Sequence, residues 1–537
     1  MSSPDQFQWS PSGPRPRRAA RLLAVLGVLT LPALALGLWV GGVVGVWLAL
    51  GVATVALGLG TAVLAGTALF RTSEDAAPDT GDFVPGARVL VVGGGYVGLV
   101  AARALQARLG IAGDGRHRGS RPGRSRASVP IGSVTVVDPQ PHMTYQPFLP
   151  EAAAGSIEPR NVVVPLRPTL RRCHVITARV RQIEHARRMV TVVGADGHIE
   201  ELGYDVLVVA LGSVARLMPV PGLAERGISF KTIGEAIYLR NHVLSRMDLA
   251  TSTLDPALRR RLLTFTFVGG GFAGIESLAE LEDMARYACR YYENIEPEDM
   301  RWVLIEAAGR ILPEVRDSLG VWTVEQLEKR GIEVYLATTA KTFEGGHVVL
   351  SDGTEFDSDT IVWNAGVKAN PVLGASDLPI DERGRVTCTA SMRAEGMPEV
   401  WSAGDCAAVP DLSRTAEDPK ALCAPNAQHA VRQARQLAKN IMTAIRGGTP
   451  KDYYHKNVGS VASLGVHKGV ADTFNVKVKG YPAWMMHRAY HISRMPTFNR
   501  KVRIGLDWLV AALFRREVIS LGQINDPKAE FDRASRS

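Results

Sequence analysis

Cysteine is scarce in this chain and unpatterned. Its five residues, Cys173, Cys289, Cys388, Cys406 and Cys423, contain no C-x-x-C pair and no zinc-like cluster. A disulfide framework, a metal site and a redox-active dithiol are therefore not expected. Charge is missing from Leu22–Phe70, a run of 49 residues. As one helix, at ~1.5 Å per residue, it would be about 74 Å long, more than twice a hydrocarbon core of roughly 30 Å. Two transmembrane passes turning near Val40–Gly45 fit better, and the apolar core of a signal peptide, about 7–15 residues, is too short. Arg15, Arg17, Arg18 and Arg21 precede the run and should stay cytoplasmic. An even number of passes then returns the rest of the chain to that side of the plasma membrane.

Aromatics are absent from the basic stretch 116–126, whose Arg116, Arg118, Arg121, Arg124 and Arg126 contribute to a net charge of +9. Nothing else points to nucleic acid, which is not expected as a partner. Anionic lipid headgroups suit a tethered protein, and a solvated loop without function fits equally well. No internal repeat is evident beyond the two units described next.

Against these absences stand two glycine fingerprints. Arg88–Val92 runs into Gly93, Gly95 and Gly98, and Thr264–Val268 into Gly269, Gly271 and Gly274. Each reads G-x-G-x-x-G at a strand-to-helix turn. Two glycines let the backbone turn and approach a pyrophosphate, the third lets helix and strand pack, and the helix N-terminus offers N–H groups to phosphate. Each unit has a second apolar strand ending in an acid, Asp138 and Glu306. A carboxylate there accepts from ribose hydroxyls and repels a 2′-phosphate, which favours FAD or NADH over NADPH. Residues 112–130 lengthen the first unit as a surface insertion, and a helix running through Tyr291 or beyond lengthens the second.

At 537 residues the chain accommodates two or three domains. The fold expected is α/β, with two Rossmann-like dinucleotide-binding domains behind a two-helix transmembrane hairpin and before an α+β C-terminal region. The divisions are a basic cytoplasmic tail, 1–21; the hairpin, 22–70; a linker, 71–87; an FAD domain in two parts, 88–220 and 386–450; an inserted NADH domain, 221–385; and a membrane- or quinone-associated region, 451–537. Val349–Thr354 is a hairpin-turn signal inside the inserted domain.

Asp205–Ser213, with Gly212, looks like the returning-strand motif of two-dinucleotide flavoproteins. Val400–Cys406 is similar to their C-terminal FAD motif, whose acid, here Asp405, binds the ribityl chain. Over roughly residues 88–520 the chain resembles type II NADH dehydrogenases, the single-subunit, non-pumping NADH:quinone oxidoreductases. Tyr145–Gly155, Gly269–Glu280, Leu304–Pro313, Val362–Pro371 (with Gly366) and Ala427-Gln428 with Gln433 carry the resemblance. The last matches the family's A-Q-x-x-x-x-Q quinone motif, although five residues on a helix, about 140° of rotation, does not by itself put both glutamines on one face.

The resemblance implies non-covalent FAD, NADH as substrate, a lipid quinone (menaquinone or ubiquinone) as acceptor, attachment to the membrane, and compatibility with a homodimer. It places Glu276 near the nicotinamide and quinone, to position NADH or relay protons, and Gln428 and Gln433 as donors to quinone carbonyls. A first-turn acid stabilised by the helix dipole is the alternative for Glu276. His429, His487 and His491 are expected to be structural. The chain departs from the family at Asn364, Ala279 and Ala434, and Gly459–Gly480 matches loosely. Leu506–Phe514, followed by Arg515 and Arg516, suits a membrane-surface helix or an ordinary packed one. Two rivals share fold and cofactors: a reductase of a soluble ferredoxin-type acceptor, and a non-enzymatic membrane redox sensor.

Overall fold

A computed structural model describes residues 86–109, 132–456, 459–473, 476–514 and 516–520. They all belong to the second of two compact units, Thr80–Ser537. The basic tail, the hairpin at 22–70, nearly all of the linker and the insertion at 112–130 lie outside the described residues. Among the described residues no helix is long and apolar enough to cross a membrane.

Strand β1 (Ala87–Val92) leads through the first fingerprint into helix α1 (Tyr96–Arg108) and returns as β2 (Gly132–Asp138). Valines fill both strands because a parallel sheet is covered on both faces and leaves no polar side. Helix α2 (Leu149–Ala153) follows, then β3 (His174–Glu184), β4 (Met189–Gly194), β5 (Ile199–Gly203) and β6 (Val206–Val209). With a later strand, Val400–Ser402, they form a seven-stranded sheet in which that strand, β6, β1, β2 and β3 are parallel and β3–β4–β5 antiparallel. The sheet therefore closes only when the chain returns after residue 385.

Between these parts lies a second parallel sheet of five strands. They are β7 (Gly227–Ser229), β8 (Thr264–Val268), β9 (Arg301–Ile305), β10 (Ile332–Tyr335) and β11 (Thr360–Trp363), in the order β7-β11-β8-β9-β10. Helix α3 (Ile233–Ser252) carries a capping box between Thr232 and Glu235. Helix α4 (Phe272–Ala288) follows the second fingerprint and ends in a 3₁₀ turn at Cys289–Tyr291. The long helix expected through Tyr291 is thus α-helical only to Ala288, its end tightening as helix ends commonly do. His347–Leu350 pairs antiparallel with Glu355–Asp357 about the predicted turn, where Gly353 has φ +93°. Two short antiparallel segments, Ser213–Ala215 and Val367–Ala369, pair where the chain leaves and re-enters the first domain.

The C-terminal part is α+β. Helix α5 (Ala427–Ile445) packs on α1. A three-stranded antiparallel sheet, β12 (Gly459–Ser463), β13 (Gly469–Thr473) and β14 (Val476–Lys479), precedes α6 (Tyr481–Arg494) and α7 (Phe498–Leu513). Ile504 and the half-buried Trp508 of α7 face inward, whereas Val502, Leu506, Leu509, Val510, Leu513 and Phe514 are exposed. The flanking arginine contributes otherwise than expected. Arg516 turns inward, donating from Nε to the Ala154 carbonyl at 2.9 Å and from Nη2 to Ser156 Oγ at 3.2 Å.

Candidate functional site

The two fingerprints solve the same steric problem with the same division of labour. Gly93 has φ +103°, and a Cβ there would collide with the carbonyl of Ala210; Gly269 has φ +111°, and its Cβ would lie 2.8 Å from the Asn364 carbonyl carbon and oxygen. A Cβ on Gly98 would overlap the Gly93 oxygen, and one on Gly274 the Gly269 oxygen. At the middle glycines, Gly95 and Gly271, a Cβ would meet no protein atom within 4 Å. The first and third glycines are therefore required by the protein's own backbone, and the second only by something that approaches it. That is the cradle a pyrophosphate needs above a helix N-terminus.

Both acids stand at these turns. Asp138 accepts from Gly94 N at 2.6 Å and Gln140 N at 2.7 Å; Glu306 accepts from Gly270 N at 2.5 Å and Ala308 N at 2.7 Å. Burial pushes the Asp138 carboxyl up from its ordinary value, against the pull of those two amides. Gly212 (φ +63°) and Gly366 (φ +83°) sit immediately before the paired linking segments, where left-handed backbone is needed to change direction. Asp405 accepts from Ser213 Oγ at 2.7 Å, and Lys231 Nζ reaches Ser213 O and Oγ, both at 2.9 Å. Burial lowers the lysine's pKa while Asp405 and Glu235 oppose the shift. Sequence reasoning missed Lys231, since nothing in its local spacing marks it as a neighbour of Asp405.

The glutamines part company. Gln433 is buried, and its Oε1 accepts from Gly404 N at 2.8 Å, fastening the turn that presents Asp405. Gln428 is half-buried; Nε2 donates to Gly459 O at 3.2 Å and Oε1 pairs with His455 Nε2 at 2.7 Å. The helical offset thus gives the two glutamines different partners, Gln433 the turn that carries Asp405 and Gln428 the start of β12.

Glu276 is buried rather than displayed at a helix start. Its Oε1 accepts from Ser463 N at 2.9 Å and lies 3.1 Å from His487 Nε2. Burial lowers the His487 pKa, but Glu276, Glu151 and Glu280 outweigh it, so the net shift is upward. Glu151, also unpredicted, receives Arg488 Nη2 and Trp508 Nε1, each at 2.8 Å. Glu280 accepts from Ser463 Oγ at 3.0 Å and is pushed up to about 7 by burial and by Glu151. His491 Nδ1 lies 3.2 Å from the Tyr145 hydroxyl. The signal for Glu151 was its place in the Tyr145–Gly155 motif; His487 had none.

The sequence profile of the pyridine nucleotide-disulphide oxidoreductases matches residues 126–434, more than half of the chain. The chain belongs to that family. Within this family of oxidoreductases it is similar to the type II NADH:quinone oxidoreductase Ndh of Mycobacterium tuberculosis, 28 % identical over 80 % of this chain and 89 % of that protein. The type II NADH:quinone oxidoreductase of Staphylococcus epidermidis is likewise 28 % identical, over 74 % and 92 %. In fold it matches NDH2 of Plasmodium falciparum, solved in complex with NADH, at TM-score 0.71 and 16 % identity, covering 81 % of this chain and 99 % of that one. A putidaredoxin reductase–putidaredoxin complex also matches, at TM-score 0.52 and 21 % identity, covering 72 % and 80 %. Both likenesses are of fold. All five cysteines of this member are free.

Proposed function

We propose that the protein is a membrane-bound, FAD-dependent NADH:quinone oxidoreductase of the non-pumping, type II kind. The observation that carries this reading is the pair of complete dinucleotide cradles on one chain whose curated relatives are type II NADH:quinone oxidoreductases. Gly93, Gly95, Gly98, Asp138, Gly212 and Asp405 would hold FAD; Gly269, Gly271, Gly274, Glu306 and Gly366 would hold NADH. Bound FAD supplies the two-electron relay between NADH and the second substrate. The protein's own part is orientation, charge and protons. Lys231, through Ser213, places a positive charge beside Asp405 and the flavin side of the site. Glu276, Glu151 and Glu280 favour the protonated form of His487 beside Glu276 Oε1, a position from which quinone reduction, which consumes two protons, can draw one. Gln428, held by two part-buried hydrogen bonds, is the glutamine able to exchange partners for a quinone carbonyl.

Membrane attachment follows from two features. The uncharged run 22–70 has the length of two passes, which leaves the catalytic body on the cytoplasmic side with NADH. The exposed apolar stripe of α7, from Val502 to Phe514, recurs at helical spacing and suits a lipid surface. A homodimer is compatible with this arrangement, and the acceptor is a lipid quinone, menaquinone or ubiquinone.

The test is NADH oxidation by full-length protein in detergent, comparing a water-soluble quinone analogue with a ferredoxin-type acceptor. Turnover should favour the quinone, and Gln428→Ala should raise the quinone KM by roughly 2- to 13-fold, the worth of one neutral hydrogen bond of about 0.5–1.5 kcal/mol. Faster transfer to the protein acceptor would move the assignment to that class. No turnover with either would favour the sensor reading.

A further inference from the structure

Asp411, Cys423 and His429 are 12 and 6 positions apart in sequence, a spacing that announces nothing, yet all three side chains are buried and each offers one ligand atom within 4.8 Å of the other two. Three separate anchors bring them together. Asp411 N donates to Ala421 O at 2.8 Å and Cys423 N to Val409 O at 2.9 Å, so two facing backbone segments hold the carboxylate and thiol side by side. His429 N is capped by Asn426 Oδ1 at 2.9 Å in the first turn of α5. Its Nδ1 lies 3.0 Å from the Tyr453 hydroxyl, which leaves Nε2 as the ring nitrogen for a ligand. Asp411 Oδ1 is engaged by Ser413, whose N and Oγ donate at 3.0 and 2.7 Å, and Oδ2 remains for coordination. An outer partner that fixes ring orientation is what metal-bound histidines commonly have.

We propose that Asp411, Cys423 and His429 bind a zinc-class divalent ion that clips the 411–423 loop to the start of α5. One thiolate, one imidazole and one carboxylate form a borderline donor set suited to Zn²⁺, with a fourth position left for water. Tetrahedral bonds of about 2.0–2.3 Å space the ligand atoms roughly 3.5 Å apart, so closure by about 1 Å is required. Two anionic ligands offset the charge of nearby Arg432 and the positive end of the helix dipole. Binding replaces the thiol proton: Zn²⁺ plus Cys–SH gives the zinc thiolate and one released H⁺. A nucleophilic cysteine is the competing use of these three residue types, and its burial argues against it, since the thiol faces the Pro410 carbonyl at 3.7 Å rather than an open cleft. The absence of a metal motif in the sequence reflected linear spacing alone.

Full-length, FAD-loaded protein in detergent, stripped with a chelator, would be titrated with Co²⁺. One equivalent should bind, giving the strong red absorption of tetrahedral cobalt, clear of the flavin bands, with one proton released per ion and displacement by Zn²⁺. Cys423→Ser, His429→Gln and Asp411→Asn should each abolish the band, and Cys173→Ser should keep it; retained FAD shows that each variant has folded. A variant that loses FAD is replaced by the wild-type proton count, which is zero if Cys423 is not a ligand. Absence of stoichiometric binding, the pale spectrum of octahedral cobalt, or a band that survives Cys423→Ser would overturn the proposal.

Discussion

Replacing Gln433 by alanine should injure the first half of the reaction, although the residue belongs to a quinone motif by resemblance. Gln433 is 1 % exposed and its Oε1 is the partner of Gly404 N. Gly404 has φ +74°, and a Cβ there would lie 2.8 Å from Val97 Cγ2, so this turn is pressed against α1 and has little room to find a substitute acceptor. Truncation leaves a backbone N–H unpaired in a mostly dry place, at a cost of about 1–3 kcal/mol. Because the turn presents Asp405, that loss should appear as FAD affinity weakened roughly 5- to 150-fold. The assay is FAD titration of deflavinated protein, followed by stopped-flow reduction of the reconstituted enzyme by NADH, with Gln428→Ala alongside. Gln428→Ala should bind FAD normally and change only the quinone step. If Gln433→Ala keeps wild-type FAD affinity and shifts only the quinone KM, the Gly404 contact is inconsequential and both glutamines serve the acceptor.

The fingerprint glycines should separate by what their Cβ would strike. Deflavinated Gly95→Ala should melt at the temperature of deflavinated wild type yet bind FAD poorly, whereas Gly98→Ala should be destabilised by about 3 kcal/mol or more, or fail to fold; equal melting temperatures for the two deflavinated variants would refute the division. Glu306→Gln should narrow the NADH-over-NADPH ratio of kcat/KM without affecting FAD content, and a wild type that prefers NADPH would show that Glu306 does not face the ribose. Glu280, faced by Glu151, Asp283, Arg516, Arg488 and His487, has a folded pKa of about 7 against an ordinary value near 4.5. Its protonation therefore stabilises the fold fully below about pH 4.5, and that contribution is lost as pH rises to 7, on the order of 1–3 kcal/mol. Glu280→Gln should flatten melting temperature against pH across that window, and an unchanged slope would assign it to other groups.

How far the sequence revealed the site follows from the range of each interaction. Gly93–Asp138 and Gly269–Glu306 were legible because a strand, a glycine turn, a helix and a second strand form a local unit whose chemistry is written in fixed spacing. Asp405 was legible only through its motif. What the spacing hid is what other elements bring in. Lys231 reaches Ser213 from the start of α3, His487 reaches Glu276 from α6, and Arg516 comes from beyond α7 to the turn after α2. The helical offset of 428 and 433 correctly warned that the two glutamines do not share a face, but not that one would be claimed by Gly404. The transmembrane hairpin is inferred from the missing charge of 22–70, which lies outside the described residues.

The acceptor is where fold stops deciding and the C-terminal region begins to. The C-terminal region buries Glu151, Glu276 and Glu280, and burial of three carboxylates would be a serious penalty in a low-dielectric interior if that region did not also bring cations. In this protein Arg488 and His487 of α6, together with Arg516, supply the opposite charge, and Trp508 of α7 closes over Glu151. Helix α7 carries the outward apolar stripe. Charge neutralisation inside and apolar exposure outside are therefore supplied by neighbouring parts of the same C-terminal region, α6 with Arg516 for the first and α7 for the second. The exposed stripe favours a lipid-soluble acceptor over a protein one. A soluble partner would need a polar, charge-complementary landing face, and α7 from Leu509 to Phe514 carries no charged side chain.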